Sequence, residues 1–198
     1  MGGTTQENLL YLSVTRGRMV HKKAGVISHD FNAYKGIFLG IREKQAEFEN
    51  KPVLKIELKL KDSDSDEIVI IQMTKKAWGA YGLLSTIEKI NLAKPFTVKV
   101  WGSEDNEKMS FLGLQQDGYK YQGQRKTIEK DESYPKPKPV TISGEKQWDW
   151  TDVFVKMDAT IKSITEKMVG QTSAAPAQGP EDTGFALPPP PGDDDLPF

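Results

Sequence analysis

Few residues in this chain of 198 residues are of the types that support enzyme catalysis. It has no cysteine, which excludes a disulfide framework, a thiolate metal site and a cysteine nucleophile, and its only histidines are His21 and His29. The carboxylates at 62–66 alternate as in a calcium loop, but Glu67 stands where such a loop needs glycine. Neither a nucleophile-elbow serine motif nor a phosphate-binding glycine loop is present. We therefore expect a protein without enzymatic activity, cofactor or metal ion.

Basic and aromatic residues recur through the first two thirds of the chain. A groove lined with cations attracts a phosphate backbone, and exposed aromatic rings stack on unpaired bases, so this combination favours binding of a single-stranded nucleic acid. The candidates are residues that local patterns place on solvent-facing strand positions or in flanking basic segments. They are Arg16, Arg18, Lys22, Lys23, Tyr34, Lys35, Phe38, Arg42, Lys44, Lys55, Lys59, Lys61, Lys99, Trp101, Tyr119 and Tyr121.

The positions of these candidates follow from the period of the predicted strands. In 53–61, apolar residues alternate with charged residues, mostly lysines, which predicts a strand with one buried face and one basic face. The same alternation in 36–48 points Phe38, Arg42 and Lys44 toward the solvent.

Two further groups of candidates lie outside these strands. Tyr34 and Lys35 are expected in the loop before 36–48, and Lys99 and Trp101 on the outward side of a strand at 95–102. For Trp101, stacking on bases and burial in a covered core remain equal alternatives.

The order of elements predicts a mainly β protein built on a five-stranded OB-fold barrel, because a sheet of this size must close or be covered at its edges. An extra strand at 9–20 precedes the barrel. An antiparallel α+β sandwich is the alternative. The predicted barrel elements in chain order are strands 36–48, 52–62 and 67–73, a capping helix at 75–92, and strands 95–102 and 108–116.

The C-terminal part of the chain changes in composition. We divide the sequence into an OB-fold domain at 1–122, a linker at 123–147, an amphipathic helix at 148–170 and a tail at 171–198, whose Pro, Gly and Ala content is typical of disorder. The helix either packs on the barrel or offers a surface for self-association or a partner. Its apolar stripe consists of Val153, Met157, Ile161, Ile164 and Met168.

Charge is divided between the body and the tail, although the net charge of the whole chain is only −1. Five of the 28 acidic residues and none of the 27 basic ones lie in 171–198, so residues 1–170 carry a net charge of +4. A basic body attracts a polyanion, and an acidic tail either competes for the same surface or docks on a basic partner.

The chain ends in Asp193-Asp194-Asp195-Leu196-Pro197-Phe198. This ending resembles the acidic tip of bacterial and phage single-stranded DNA-binding proteins, in which a Gly/Pro/Gln-rich linker carries several Asp residues and a final Pro-Phe. The resemblance implies an OB-fold protein that binds and protects single-stranded DNA without sequence specificity during replication, recombination or repair. It also implies recruitment of replication and repair proteins through these six residues, homo-oligomers, and a location in the cytoplasm of a bacterial cell or a phage-infected host.

The chemistry of the tip agrees with a docking role. Phe198 carries both an apolar ring and the terminal carboxylate, which a partner pocket with a basic rim binds together. The aspartates add an attraction that salt screens. A protein–protein adaptor with an OB-like barrel is the main alternative function, and RNA remains an alternative ligand because stacking does not by itself distinguish the sugar.

Overall fold

The computed structural model describes residues 9–23, 26–117, 128 and 130–173. The protein is mainly β, with a curled open sheet that forms a half-barrel and few helices. The elements are β1 (Leu9–Thr15), β2 (Arg18–Lys23), β3 (Val26–Phe31), β4 (Ala33–Phe48), β5 (Lys51–Asp62), β6 (Ile68–Thr74), α1 (Trp78–Leu84), a 3-10 turn (Ile87–Lys89), β7 (Phe96–Gly102), β8 (Ser110–Gln115), β9 (Lys138–Ile142), β10 (Glu145–Asp149) and α2 (Thr151–Ser173).

The sheet has eight strands in the order β3-β2-β1-β6-β5-β4-β7-β8. Neighbouring strands are antiparallel except β1 and β6, which are parallel. The predicted single strand at 9–20 is wrong, because a turn at Arg16 and Gly17 with φ of 46° and 72° reverses the chain between β1 and β2. Gly17 is required there, since an added Cβ would lie 2.3 Å from the backbone nitrogen of Gly102.

A β-bulge in β4 changes which side chains face the core. Phe38 pairs with Leu60 and Gly40 pairs with Lys59, so Leu39 has no partner on β5. The extra residue shifts the alternation by one position. Phe38 is therefore buried, with 5% of its surface exposed, and the prediction that it faces the solvent is wrong.

The helical region predicted at 75–92 is shorter in the structure. Helix α1 ends at Leu84, where the hydroxyl groups of Ser85 and Thr86 donate hydrogen bonds to the carbonyl oxygen of Gly82. Such local side-chain bonds compete with the continuing helix, and only a 3-10 turn follows.

The C-terminal helix packs on the body. The side chains of Val153, Met157 and Ile164 on α2 are buried in the same core as the inward residues of the sheet. Lys75 adds a polar contact, because its buried ammonium group pairs with Asp158 of α2 at 2.5 Å and with Glu43 of β4. The apolar stripe of α2 thus packs against the core of the same chain.

The predicted linker at 123–147 contains regular structure in its second half. Strand β9 pairs with β10 in a two-stranded hairpin directly before α2. The indole rings of Trp148 and Trp150 lie 5.8 and 5.4 Å from that of Trp78, so the hairpin and the start of α2 pack on α1 through aromatic contacts. Among the described residues, no helix has the length and apolar character needed to cross a membrane.

Candidate nucleic-acid interface

The strand register places most of the predicted cations on one face of the sheet. Residues directly opposite each other on paired strands share a face, and side chains alternate along each strand. Lys44 lies opposite Lys55, and Lys35 opposite Thr97, which leads to Lys99 on the same side of β7. We call this solvent side of the eight-stranded sheet the basic face. Its cations on β4, β5 and β7 are Lys35, Arg42, Lys44, Lys51, Lys55, Lys59, Lys61 and Lys99.

Acidic residues are scarce on the basic face. In β1 and β4–β8, which the structure describes completely, the register assigns only Glu57 to that side. The carboxylates Glu43, Glu47 and Asp62 belong to the opposite side of β4 and β5. The strands therefore separate the two signs of charge, which a composition near neutrality does not reveal.

Glu57 fixes part of the basic face. Only 2% of its side chain is exposed, and its carboxylate accepts hydrogen bonds from Arg42 Nε at 2.8 Å and Gln72 Nε2 at 2.7 Å. The Lys44 ammonium lies 3.2 Å from Oε1, the same carboxylate oxygen that accepts the bond from Gln72. Burial alone would raise the pKa of Glu57, but the hydrogen bonds from Arg42, Lys44 and Gln72 hold that pKa below its ordinary value. Glu57 thus holds two cations in place while it cancels one positive charge.

We expect Glu57→Gln to lower the free energy of unfolding by about 1–2 kcal/mol at pH 7, because charged hydrogen bonds are lost. The pKa of Glu57 is lower in the folded than in the unfolded protein, so its stabilisation is complete above the unfolded value of about 4.5. The stabilisation decreases as the pH falls through the folded pKa. Urea unfolding at pH 7 and pH 3 measures this, with Glu104→Gln on an exposed turn as the control. A difference between wild type and Glu57→Gln that does not change with pH would contradict the assignment.

The N-terminal basic cluster extends the basic face onto β2. Arg18 lies opposite Thr15 of β1, and Lys22 follows on the same side of β2. The Arg18 guanidinium pairs with Asp30 at 2.9 Å, and Arg16 is in the preceding turn. Lys23 is the last residue of β2.

Two aromatic candidates have structural roles instead. Tyr34 lies within β4 rather than in a loop, and its buried hydroxyl donates a 2.6 Å hydrogen bond to Asp62. Burial, followed by the bond to Asp62, raises the pKa of Tyr34. Phe38 is buried for the reason given above. Lys35 is also in β4, where its side chain is exposed.

Trp101 is half-buried on the outward side of β7. Its ring stacks on that of Phe111 in β8, with centroids 6.2 Å apart and planes at 24°. Tyr119 and Tyr121 lie outside the described residues, as do the tip residues 193–198.

Sequence reasoning missed four residues of the basic face, which are Leu9, Tyr11, Phe48 and Lys51. Leu9 and Tyr11 on β1 are each 41% exposed, and Phe48 is 63% exposed at the tip of the β4–β5 hairpin, opposite Lys51. The alternation within 9–15 could have marked Tyr11 as outward. The residues that lie beside Tyr11 on β6 could not be found that way, because β1 pairs with a strand almost 60 residues later in the chain.

Among the described residues, no group of three His, Asp or Glu side chains could hold a metal ion. No family model matches this chain, and searches of curated proteins and of solved structures also found no match. We therefore infer the function from the chain's own residues.

Proposed function

We propose that this protein binds single-stranded DNA on its basic face, without sequence specificity, and is not an enzyme. One observation carries the proposal: the strand register collects eight cations on one solvent side of β4, β5 and β7, and Glu57 is the only carboxylate that it assigns to that side of β1 and β4–β8. A phosphate backbone is bound by such an array through its charge, and each neutralised phosphate releases counterions.

The strand pairing supports an OB-type barrel. Pairing runs from β4 through β5, β6, β1 and β2 to β3, and only Asn32 separates β3 from β4 along the chain. This series of six paired strands ends at β3, which the chain connects directly to β4, where the series begins, and such an arrangement suits a sheet that curls around a core. The series includes β1 and β2, which were predicted as one extra strand, whereas β7 and β8, which were predicted to finish the barrel, lie on the other side of β4.

The C-terminal tip completes the proposed function. Helix α2 is anchored to the body, so the acidic end of the chain is tethered to a protein that coats DNA. We propose that the tip recruits replication, recombination and repair proteins by its aspartates and Phe198, in a bacterial or phage-infected cell.

Titration of the full chain with oligo-dT, followed by tryptophan fluorescence, tests the proposal. We expect quenching that salt reverses, with a slope of about −0.7 in log K against log salt for each phosphate bound, and weaker binding of a duplex of equal length. Equal affinity for duplex and single strand would overturn it. Absence of any DNA binding would overturn it in favour of the adaptor.

A further inference from the structure

A cleft of about 310 Å³ opens on the basic face where β1, β6, β5 and β4 lie side by side. Leu9 and Tyr11 line it from β1, and Ile70, with 6% of its surface exposed, from β6. Gly40 lines it from β4. The cleft therefore combines apolar and aromatic side chains with the charged side chains of Arg42, Glu57 and Lys59, and an apolar platform beside cations is what an unpaired nucleotide requires.

The phenol of Tyr11 is the aromatic platform of this cleft. Its ring is not within stacking distance of any other described ring, and its hydroxyl forms no hydrogen bond with the described residues. The backbone is fixed, because Tyr11 pairs with Ile70 and its carbonyl oxygen lies 2.9 Å from Nδ1 of His21. A rigid strand thus holds a partly exposed ring that the core does not use.

Cations border the same cleft. Arg42 and Lys59 both line it, with Arg42 opposite Glu57 on β4 and Lys59 two positions after Glu57 on β5. Glu57 takes two of the five N–H donors of the Arg42 guanidinium, which leaves three for another anion, and 66% of the Arg42 side chain is exposed. A phosphate on Arg42 would therefore meet a guanidinium whose position Glu57 already fixes.

Gly40 keeps the cleft open. A Cβ atom added there would meet nothing within 4 Å, and the residue does not have the left-handed φ that would strain a larger side chain. The space beside Tyr11 is consequently available to a ligand and can be filled by substitution without displacing the backbone.

We propose that this Tyr11 cleft binds one base of a bound single strand, with the base stacked on Tyr11 and a neighbouring phosphate on Arg42. The inference depends on the proposed function, and it adds a base-binding site that the charged residues alone do not provide. The proposed ligand is a nucleotide that belongs to a longer strand, not a free nucleotide.

The first test compares Tyr11→Ala with Tyr11→Phe on oligo-dT and on an abasic oligomer of the same length. Stacking of one base supports a loss of about 5- to 150-fold for Tyr11→Ala on oligo-dT. Tyr11→Phe retains the ring and should bind like wild type. On the abasic oligomer, which has phosphates but no bases, wild type and Tyr11→Ala should bind equally.

The second test fills the cleft from the other side. Gly40→Leu should weaken oligo-dT binding and leave abasic binding unchanged, while Gly40→Ala, which occupies little of the space, should have a much smaller effect. Thermal unfolding of both variants checks that the fold is kept. Titration with dTMP measures binding of a free nucleotide, which we expect to be far weaker than binding of the strand.

The outcomes separate this inference from the function. One outcome is that wild type binds oligo-dT with salt dependence while Tyr11→Ala loses the same affinity on both oligomers, or none. In that case the cleft does not bind a base, and the proposal that DNA binds on the basic face is retained. If wild type binds no single strand, both proposals fail. Binding of dTMP as tight as that of the strand would overturn the strand as the source.

Discussion

Replacing Lys35, Lys55 and Lys99 together with glutamine is expected to weaken binding of oligo-dT about 100-fold at 0.1 M salt. Each of the three side chains lies on the basic face, and none forms an ion pair with the described residues. A cation already paired with a carboxylate has less charge to offer a phosphate. Three lost phosphate contacts also reduce the slope of log K against log salt by about 2, at about 0.7 for each contact.

The matched control removes the same charge elsewhere. Lys136, Lys146 and Lys167 are exposed, form no ion pair with the described residues, and lie on the C-terminal hairpin segment and α2, outside the eight-stranded sheet. Their joint replacement with glutamine changes net charge equally, so it should lower affinity only slightly through the overall field. Equal losses for the two triple variants would show that binding depends on net charge and not on the basic face.

The substitution Gly82→Ala in α1 is expected to lower the free energy of unfolding by about 3 kcal/mol, near the upper end for overpacking. An added Cβ would lie 2.1 Å from the carbonyl oxygen of Leu112, which is backbone in β8 and cannot rotate away. The helix would have to move off the strand and open the core at Leu112. For a protein of this size, the melting temperature should fall by about 6–12 °C.

Gly79→Ala, in the same helix, is the control. Its added Cβ would meet the nearest atom, the carbonyl oxygen of Ser110, at 3.6 Å, which is an ordinary contact. Alanine is favoured over glycine in a helix by up to about 1 kcal/mol, so Gly79→Ala should be neutral or stabilising. Calorimetry on both variants measures the difference. Similar melting temperatures for the two would contradict the close packing of α1 on β8.

Sequence reasoning predicted features that depend on neighbouring residues better than features that depend on contacts between distant residues. The alternation in 53–61 correctly predicted that Ile56, Leu58 and Leu60 are buried, because a period of two is local to one strand. Leu54, in the same pattern, is 42% exposed near the end of the β4–β5 hairpin. Local alternation predicts the side of a strand but not where the core ends.

The bulge at Leu39 shows a second limit. The sequence from Ile37 to Ile41 is a regular alternation, and nothing in it indicates that one residue will be left without a partner. The bulge arises from the fit between β4 and β5, and it moves Phe38 into the core while Arg42 and Lys44 stay outside. The outward assignments of Arg42 and Lys44 were therefore right and that of Phe38 was wrong, because the bulge lies between Phe38 and the two cations.

The balance of charge and the lack of cysteine follow from composition, and the alternating strands and the acidic tip can be recognised from neighbouring residues. Three-dimensional contacts were needed to place β1 beside β6, to pack α2 on the core and to bring Tyr11 to a cleft with Arg42. These results depend on contacts between residues far apart in the chain, whose free energy comes from shared burial and strand pairing. The period of one segment indicates which of its faces is apolar, but it does not indicate which distant segment that face contacts.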